Sequence, residues 1–128
     1  MTRDDLRRWI DDYERAWRTG GTEPLRMLFA ADASYSPGPY ERPHVGLDEI
    51  AAFWETERAG PDEPFTMDAV PVAVEGDTGV ARVRVHYNGP PVQDYRDLWI
   101  VTLDAGGRCT AFEEWPFWPE QSRVADGR

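Results

Sequence analysis

Apolar residues recur at three- and four-residue spacings through the first part of the chain. Leu6, Trp9, Ile10, Tyr13, Ala16 and Trp17 share one face of a predicted helix. Gly20-Gly21 should end it, because glycine readily takes the left-handed conformation that terminates helices. Thr22 offers an N-cap and Pro24 an early helical position, which predicts a second, short helix through Phe29. Ala33 to Ser36 reads as a brief strand. The stretch Pro37 to His44 holds three prolines and predicts no regular element. A third helix over about Leu47 to Arg58 would bury Leu47, Ile50, Phe53 and Trp54.

The period then changes from helical to alternating. Phe65 to Glu75 predicts a strand, and Pro71 inside it suggests an edge position or a bulge. After the turn Gly76 to Gly79, Val83, Val85 and Tyr87 alternate with Arg82, Arg84 and His86. Asn88-Gly89-Pro90-Pro91 breaks that strand. Two more, about Gln93 to Leu103 and Arg108 to Trp118, flank Asp104 to Gly107. Helices first and antiparallel strands later predict an α+β domain, with one sheet curling around the long first helix. The 128 residues suit a single domain over 1–120, followed by a flexible tail at 121–128.

Composition narrows the chemistry. A formal net charge of −10 and a pI near 4.6 argue against nucleic acid and anionic membranes as partners. No apolar run approaches the ~20 residues of a membrane span. The start, Met1-Thr2-Arg3-Asp4-Asp5, has no hydrophobic stretch for a signal peptide, and Cys109 is the single cysteine. A cytoplasmic location is therefore expected. All fourteen basic residues are arginine. Without lysine there is neither a side-chain Schiff base nor a P-loop. His44 and His86 are the only histidines, too few for a zinc site, so no metal and no cofactor are expected. Acid–base chemistry by carboxylates and tyrosines remains, or ligand binding without catalysis.

Three groups of residues carry a family likeness. They are Tyr13 with Gly20, Leu28-Phe29-Ala30-Ala31-Asp32-Ala33, and Val45-Gly46-Leu47-Asp48-Glu49-Ile50-Ala51-Ala52-Phe53-Trp54. With the closing hairpin Leu103 to Arg108, their order resembles the nuclear-transport-factor-2-like superfamily in its SnoaL-like branch, over residues 5 to 118. The resemblance implies a cystatin-like cone: three N-terminal helices packed in a strongly curved antiparallel or mixed sheet, with an apolar cavity between. It does not set the reaction, since this fold hosts isomerases, cyclases, dehydratases, hydrolases and non-catalytic proteins. The ketosteroid isomerases of this shape use an aspartate base, a helix tyrosine and a protonated aspartic acid on a late strand. Tyr13 matches the tyrosine, but the base position falls near Pro37 or Gly38 and the late acid on Trp99. Ketosteroid isomerisation is rejected on that ground.

The sharpest candidates are Asp97 and Glu114. A four-residue loop at Asp104 to Gly107 would oppose Leu103 to Arg108, Trp99 to Phe112 and Asp97 to Glu114. Two opposed carboxyls near an apolar wall should not both ionise, and one neutral acid beside one base suits proton transfer. Two alternatives stay open. The carboxylates could be solvated or paired with Arg15, Arg18 or Arg42, and a three-residue loop would bring in Glu113 and turn Glu114 outward. Tyr13 is the candidate ligand anchor or oxyanion donor, with Trp17 one turn away. Tyr35, Tyr40, Trp54, Tyr87, Trp99 and Phe112 complete an aromatic set able to line a pocket or fill the core. His44 is a candidate shuttle at the cavity mouth. Cys109 shares a face with Ala111, not Phe112, and should pack inertly.

The outer sheet face would carry Leu98, Ile100, Ala111 and Trp115, more apolar area than a monomer should expose. A homodimer through that face is expected, with Arg82 and Arg84 at its rim. The partners expected are thus a small hydrophobic molecule and a second copy. The function expected is a small-molecule pocket, as an acid–base enzyme of isomerase, cyclase or dehydratase type, or as a non-catalytic binding or dimerisation domain.

Overall fold

A computed structural model of the chain describes residues 1–58, 64–89 and 91–119. The elements run α1 (Arg3–Trp17), α2 (Leu25–Leu28), β1 (Phe29–Ser36), β2 (His44–Val45), α3 (Leu47–Glu57), β3 (Phe65–Glu75), β4 (Thr78–Asn88), β5 (Val92–Leu103) and β6 (Cys109–Phe117). The expected tail at 121–128 lies outside the described residues. No helix is long and apolar enough to cross a membrane among those residues. The three helices all fall in the first half, but β1 and β2 come before the third, so they are not a continuous N-terminal block.

The sheet order is β2-β1-β6-β5-β4-β3, antiparallel except for β1 beside β6. The apolar face of α1 lies on it, burying Leu6, Trp9, Ile10, Tyr13 and Ala16. Trp9 anchors the packing, donating from Nε1 to the Leu28 carbonyl at 2.9 Å and meeting Phe29 and Phe112 edge-on or tilted. Thr2 caps α1 in a reciprocal box. Its Oγ1 accepts from the Asp5 N–H at 3.0 Å, while Asp5 accepts from the Thr2 N–H at 2.8 Å. As an edge strand, β3 has open carbonyls, and arginines cover them. Arg3 donates to Pro71 and Val72, Arg7 to Ala69, and Arg18 to Phe65. The Pro71 expectation holds in both senses, since β3 is an edge and its register slips between Pro71 and Ala73.

Several expected boundaries move for identifiable reasons. Glycine does not cap α1. The C-cap is Arg18 in a right-handed conformation, and Gly21, at φ 79°, lies three residues farther on. The end of α1 is instead held by Arg58, just after α3. Arg58 donates to the carbonyls of Ala16, Trp17, Thr19 and Gly21 at 2.7 to 3.4 Å, with its side chain 4% exposed. Thr22 makes no side-chain cap. The second helix is a single turn after Pro24, and Phe29 already begins β1. The prolines of 37–43 do break the chain, but His44 and Val45 return to pair with Tyr35 and Ser34. Gly46, at φ 90°, then turns into α3 and donates to the Ala33 carbonyl at 2.8 Å.

The β5–β6 register corrects the expected pairing. Asp104 accepts from the N–H groups of Gly106 and Arg108, and its own N–H donates to the Arg108 carbonyl. The loop is therefore five residues long and Leu103 pairs with Cys109. A further irregularity leaves Thr110 unpaired, so Val101 meets Phe112, Trp99 meets Glu114 and Asp97 meets Pro116. Each departure shifts the register by one residue, and together they preserve parity. Asp97, Trp99, Phe112 and Glu114 stay on the concave face, while Glu113 is exposed and bonded to Trp115 outside. The alternative with Glu113 inside is overturned. The longer loop sets Cys109 opposite Leu103 and so turns it inward like Phe112, contrary to simple alternation. Burial pushes its thiol up to about 12, so it carries no thiolate at neutral pH.

Candidate functional site

A half-open cavity of about 590 Å³ lies between α1, α3 and the concave sheet face, within the usual size of small-molecule sites. Helix α1 contributes Tyr13 and Trp17, one turn apart with their rings parallel at 6.3 Å. Strand β5 contributes every second residue, Gln93, Tyr95, Asp97 and Trp99, because alternation aims one set inward. Phe65, Met67, Val85 and Tyr87 line the wall from β3 and β4, Glu114 and Pro116 from β6, and Phe53 and Glu57 from α3.

Inside it runs a chain of polar groups. The Tyr13 and Tyr35 hydroxyls are 2.8 Å apart, and Tyr35 donates onward to Glu114 Oε1 at a long 3.4 Å. The Glu114 and Asp97 carboxyls both line the cavity, diagonal across the ladder, close enough for each to act on the other's proton affinity. Two carboxyls so placed do not both ionise readily. Trp99 Nε1 donates to Asp97 Oδ2 at 3.3 Å, and Oδ1 is buried with no N–H or hydroxyl donor against it.

The electrostatics favour one shared proton. Burial raises the Glu114 carboxyl well above the usual carboxylate range, and the neighbouring Asp97 raises it further. Burial also raises Asp97, but the neighbouring Glu114 carboxyl, the Trp99 N–H and the Phe117 backbone pull it back. Both carboxyls are thus raised, Glu114 the more strongly. Burial lifts both tyrosines well above their ordinary value, so they act as neutral hydroxyls. Neither carboxyl has an arginine partner among the described residues. Arg15 pairs with Asp12 and Arg18 with Glu14, while Arg42 lines the adjoining outer groove, which shares Phe53 and Glu57 with the cavity but holds neither Asp97 nor Glu114. That removes the ion-pair alternative.

The model of the SnoaL-like domain matches residues 6–112, most of the chain. The chain belongs to the SnoaL-like family. No curated protein matches it in sequence. Among solved structures, RV0760c from Mycobacterium tuberculosis superposes with a TM-score of 0.74 at 14% identity, over 93% of this chain and 99% of that one. A proposed SnoaL-like polyketide cyclase from Jannaschia sp. CCS1 gives 0.66 at 18% identity, covering 84% of each chain. A proposed ketosteroid isomerase from Parabacteroides distasonis gives 0.61 at 16%, over 87% of this chain and 86% of that one. At these identities the likeness is one of fold.

In this SnoaL-like domain the expected residues separate into three groups. Tyr13, Trp17, Tyr35, Tyr87, Asp97, Trp99 and Glu114 meet at the cavity. Trp54 and Phe112 are instead fully buried behind it, where Trp54 packs on Tyr13 and Trp17. Tyr40 and His44 do not reach the site. Tyr40 is 98% exposed on the proline-rich loop, and His44 stacks on Phe53 beside a second, outer groove. Sequence reasoning missed Tyr95, Gln93 and Glu57. The first two were readable by continuing the period of Asp97 and Trp99 backwards. Glu57 follows Phe53 by four residues on α3, the same signal at helical spacing.

Proposed function

We propose that this SnoaL-like chain is an acid–base enzyme of isomerase, cyclase or dehydratase type, acting on a hydrophobic small molecule in the aromatic cavity. The observation that carries this reading is the Asp97 and Glu114 carboxyls facing one cavity, with no arginine partner among the described residues and Tyr35 on Glu114. Such a pair presents a base and an acid at one point. In the proposed step, the Asp97 carboxylate takes a proton from carbon beside a carbonyl while Glu114 gives its proton to the carbonyl oxygen. The C–H electron pair becomes the C=C of an enol as the carbonyl π pair takes Glu114's proton on oxygen. Asp97 then returns its proton to another carbon of the conjugated enol, and the enol hydroxyl returns its proton to Glu114 as the carbonyl re-forms. Tyr13 acts through Tyr35, whose hydroxyl positions Glu114.

Deuterium uptake tests this without knowledge of the natural substrate. A panel of hydrophobic ketones in D2O should include members that gain deuterium beside the carbonyl with the enzyme present. Asp97→Asn should slow that uptake by at least ~100-fold, the low end for loss of a general base. Ligands that bind with no uptake in either form would instead make the domain a non-catalytic binding module.

We also propose that two copies pair through the outer sheet face. Leu98 is 40% exposed there and sits between Arg82 and Trp115 in the ladder, with Val70 beyond Arg82. Sedimentation equilibrium should give a dimer that Leu98→Glu converts to monomer. A monomeric parent would end the proposal.

A further inference from the structure

The charge around the cavity is one-sided. Among the described lining residues the carboxyls are Glu57, Asp97 and Glu114, and no arginine or histidine accompanies them. Glu57 is exposed and lines both this cavity and the outer groove that carries Arg42 and His44, and it makes no ion pair among the described residues. Its charge reaches inward far enough to act on Glu114. Deeper in, Asp97 is only 3% exposed and keeps Oδ1 without an N–H or hydroxyl donor.

Those features bear on ligand charge. An anionic ligand would leave water for a cavity lined by three acids, where the Arg18 guanidinium on the Phe65 ring is already paired with Glu14, so its desolvation would go uncompensated. A protonated amine would meet the opposite field. Ring faces attract cations, and the wall already holds one this way: the Arg18 guanidinium lies 3.8 Å from the centre of the Phe65 ring. Phe53 shares a helix face with Glu57, and Trp17 lines the same cavity.

We infer that the molecule this cavity takes is a hydrophobic amine, bound as its ammonium ion with the charge beside Glu57 and the apolar body against the inner aromatic wall. The inference rests on reading the cavity as the substrate site. It adds the class of molecule, and it makes Glu57 a specificity residue outside the proton-transfer pair.

Calorimetric titration with three matched probes separates the two claims. 1-Naphthylmethylamine, 1-naphthylmethanol and 1-naphthoate share one apolar body and differ in charge at neutral pH. The amine should bind about tenfold tighter than the alcohol, and the naphthoate should be weakest. Glu57→Gln should cut the amine's advantage to under about threefold and leave the alcohol unchanged. Amine and alcohol binding alike to the parent would overturn the inference and leave the pocket reading intact. An advantage that survives Glu57→Gln would overturn the assignment to Glu57. If none of the three binds, the pocket reading fails as well.

Discussion

Replacing Arg58 with methionine should destabilise the protein by about 3–5 kcal/mol, the usual cost of stripping one partner from a buried charged network. Four carbonyls, two in the last turn of α1 and two just beyond it, point at this one guanidinium, and its side chain is 4% exposed. Methionine keeps the length and apolar stem but donates nothing, so those carbonyls lose their partner. They also lose the cation that offsets the negative end of the helix dipole. For a domain with ~5–15 kcal/mol of total stability the loss is large. It should appear in urea as a lower midpoint with an unchanged slope. Arg58→Lys should recover only part, because one ammonium cannot span four acceptors. Glu55→Gln is the control. Glu55 meets Arg58 at 3.3 Å but is 60% exposed, so its loss should cost under ~1 kcal/mol. An Arg58→Met protein as stable as its parent would show that water satisfies those carbonyls equally well.

The second large effect concerns pH. Glu114 titrates well above the usual carboxylate range when folded. Over the window from its unfolded value up to its raised folded value, the folded state holds the extra proton. The stabilisation is complete below the unfolded value and is lost as pH rises through the folded one. The slope approaches ~1.4 kcal/mol per pH unit for one proton. Glu114→Gln keeps the shape, accepts from Tyr35 and never ionises. It should match the parent below about pH 4, near the unfolded carboxyl value, and become progressively more stable than the parent above it. Urea unfolding from acidic to alkaline pH reads this directly. Parallel stability curves for the two proteins would mean that Glu114 ionises freely, and the shared-proton pair would be abandoned. Uptake of deuterium should fall in the same variant, the familiar exchange of function for stability.

Both effects come from contacts that no local pattern contains. Arg58 follows α3 in a segment with no feature that distinguishes it from the other thirteen arginines. Its role arises because α3 ends beside the end of α1, some forty residues earlier. The acid pair was legible for a narrower reason. Alternation placed Asp97 and Glu114 on one face, and a loop and a bulge that each add one residue leave that parity unchanged. Cys109 lies before the bulge and gains only the first shift, so for it the simple alternation fails.

What the chain determined by itself is the succession of elements and the inward face of most of them. Those depend on spacings of two and of three to four residues, which any neighbouring surface will select. The tertiary structure decided which inward residues face the cavity and which are sealed in the core. Trp54 and Phe112 fell to the core, and Tyr95 and Glu57 to the cavity. That division follows from strand order and from where the helices lie on the sheet, which are contacts between residues far apart in sequence.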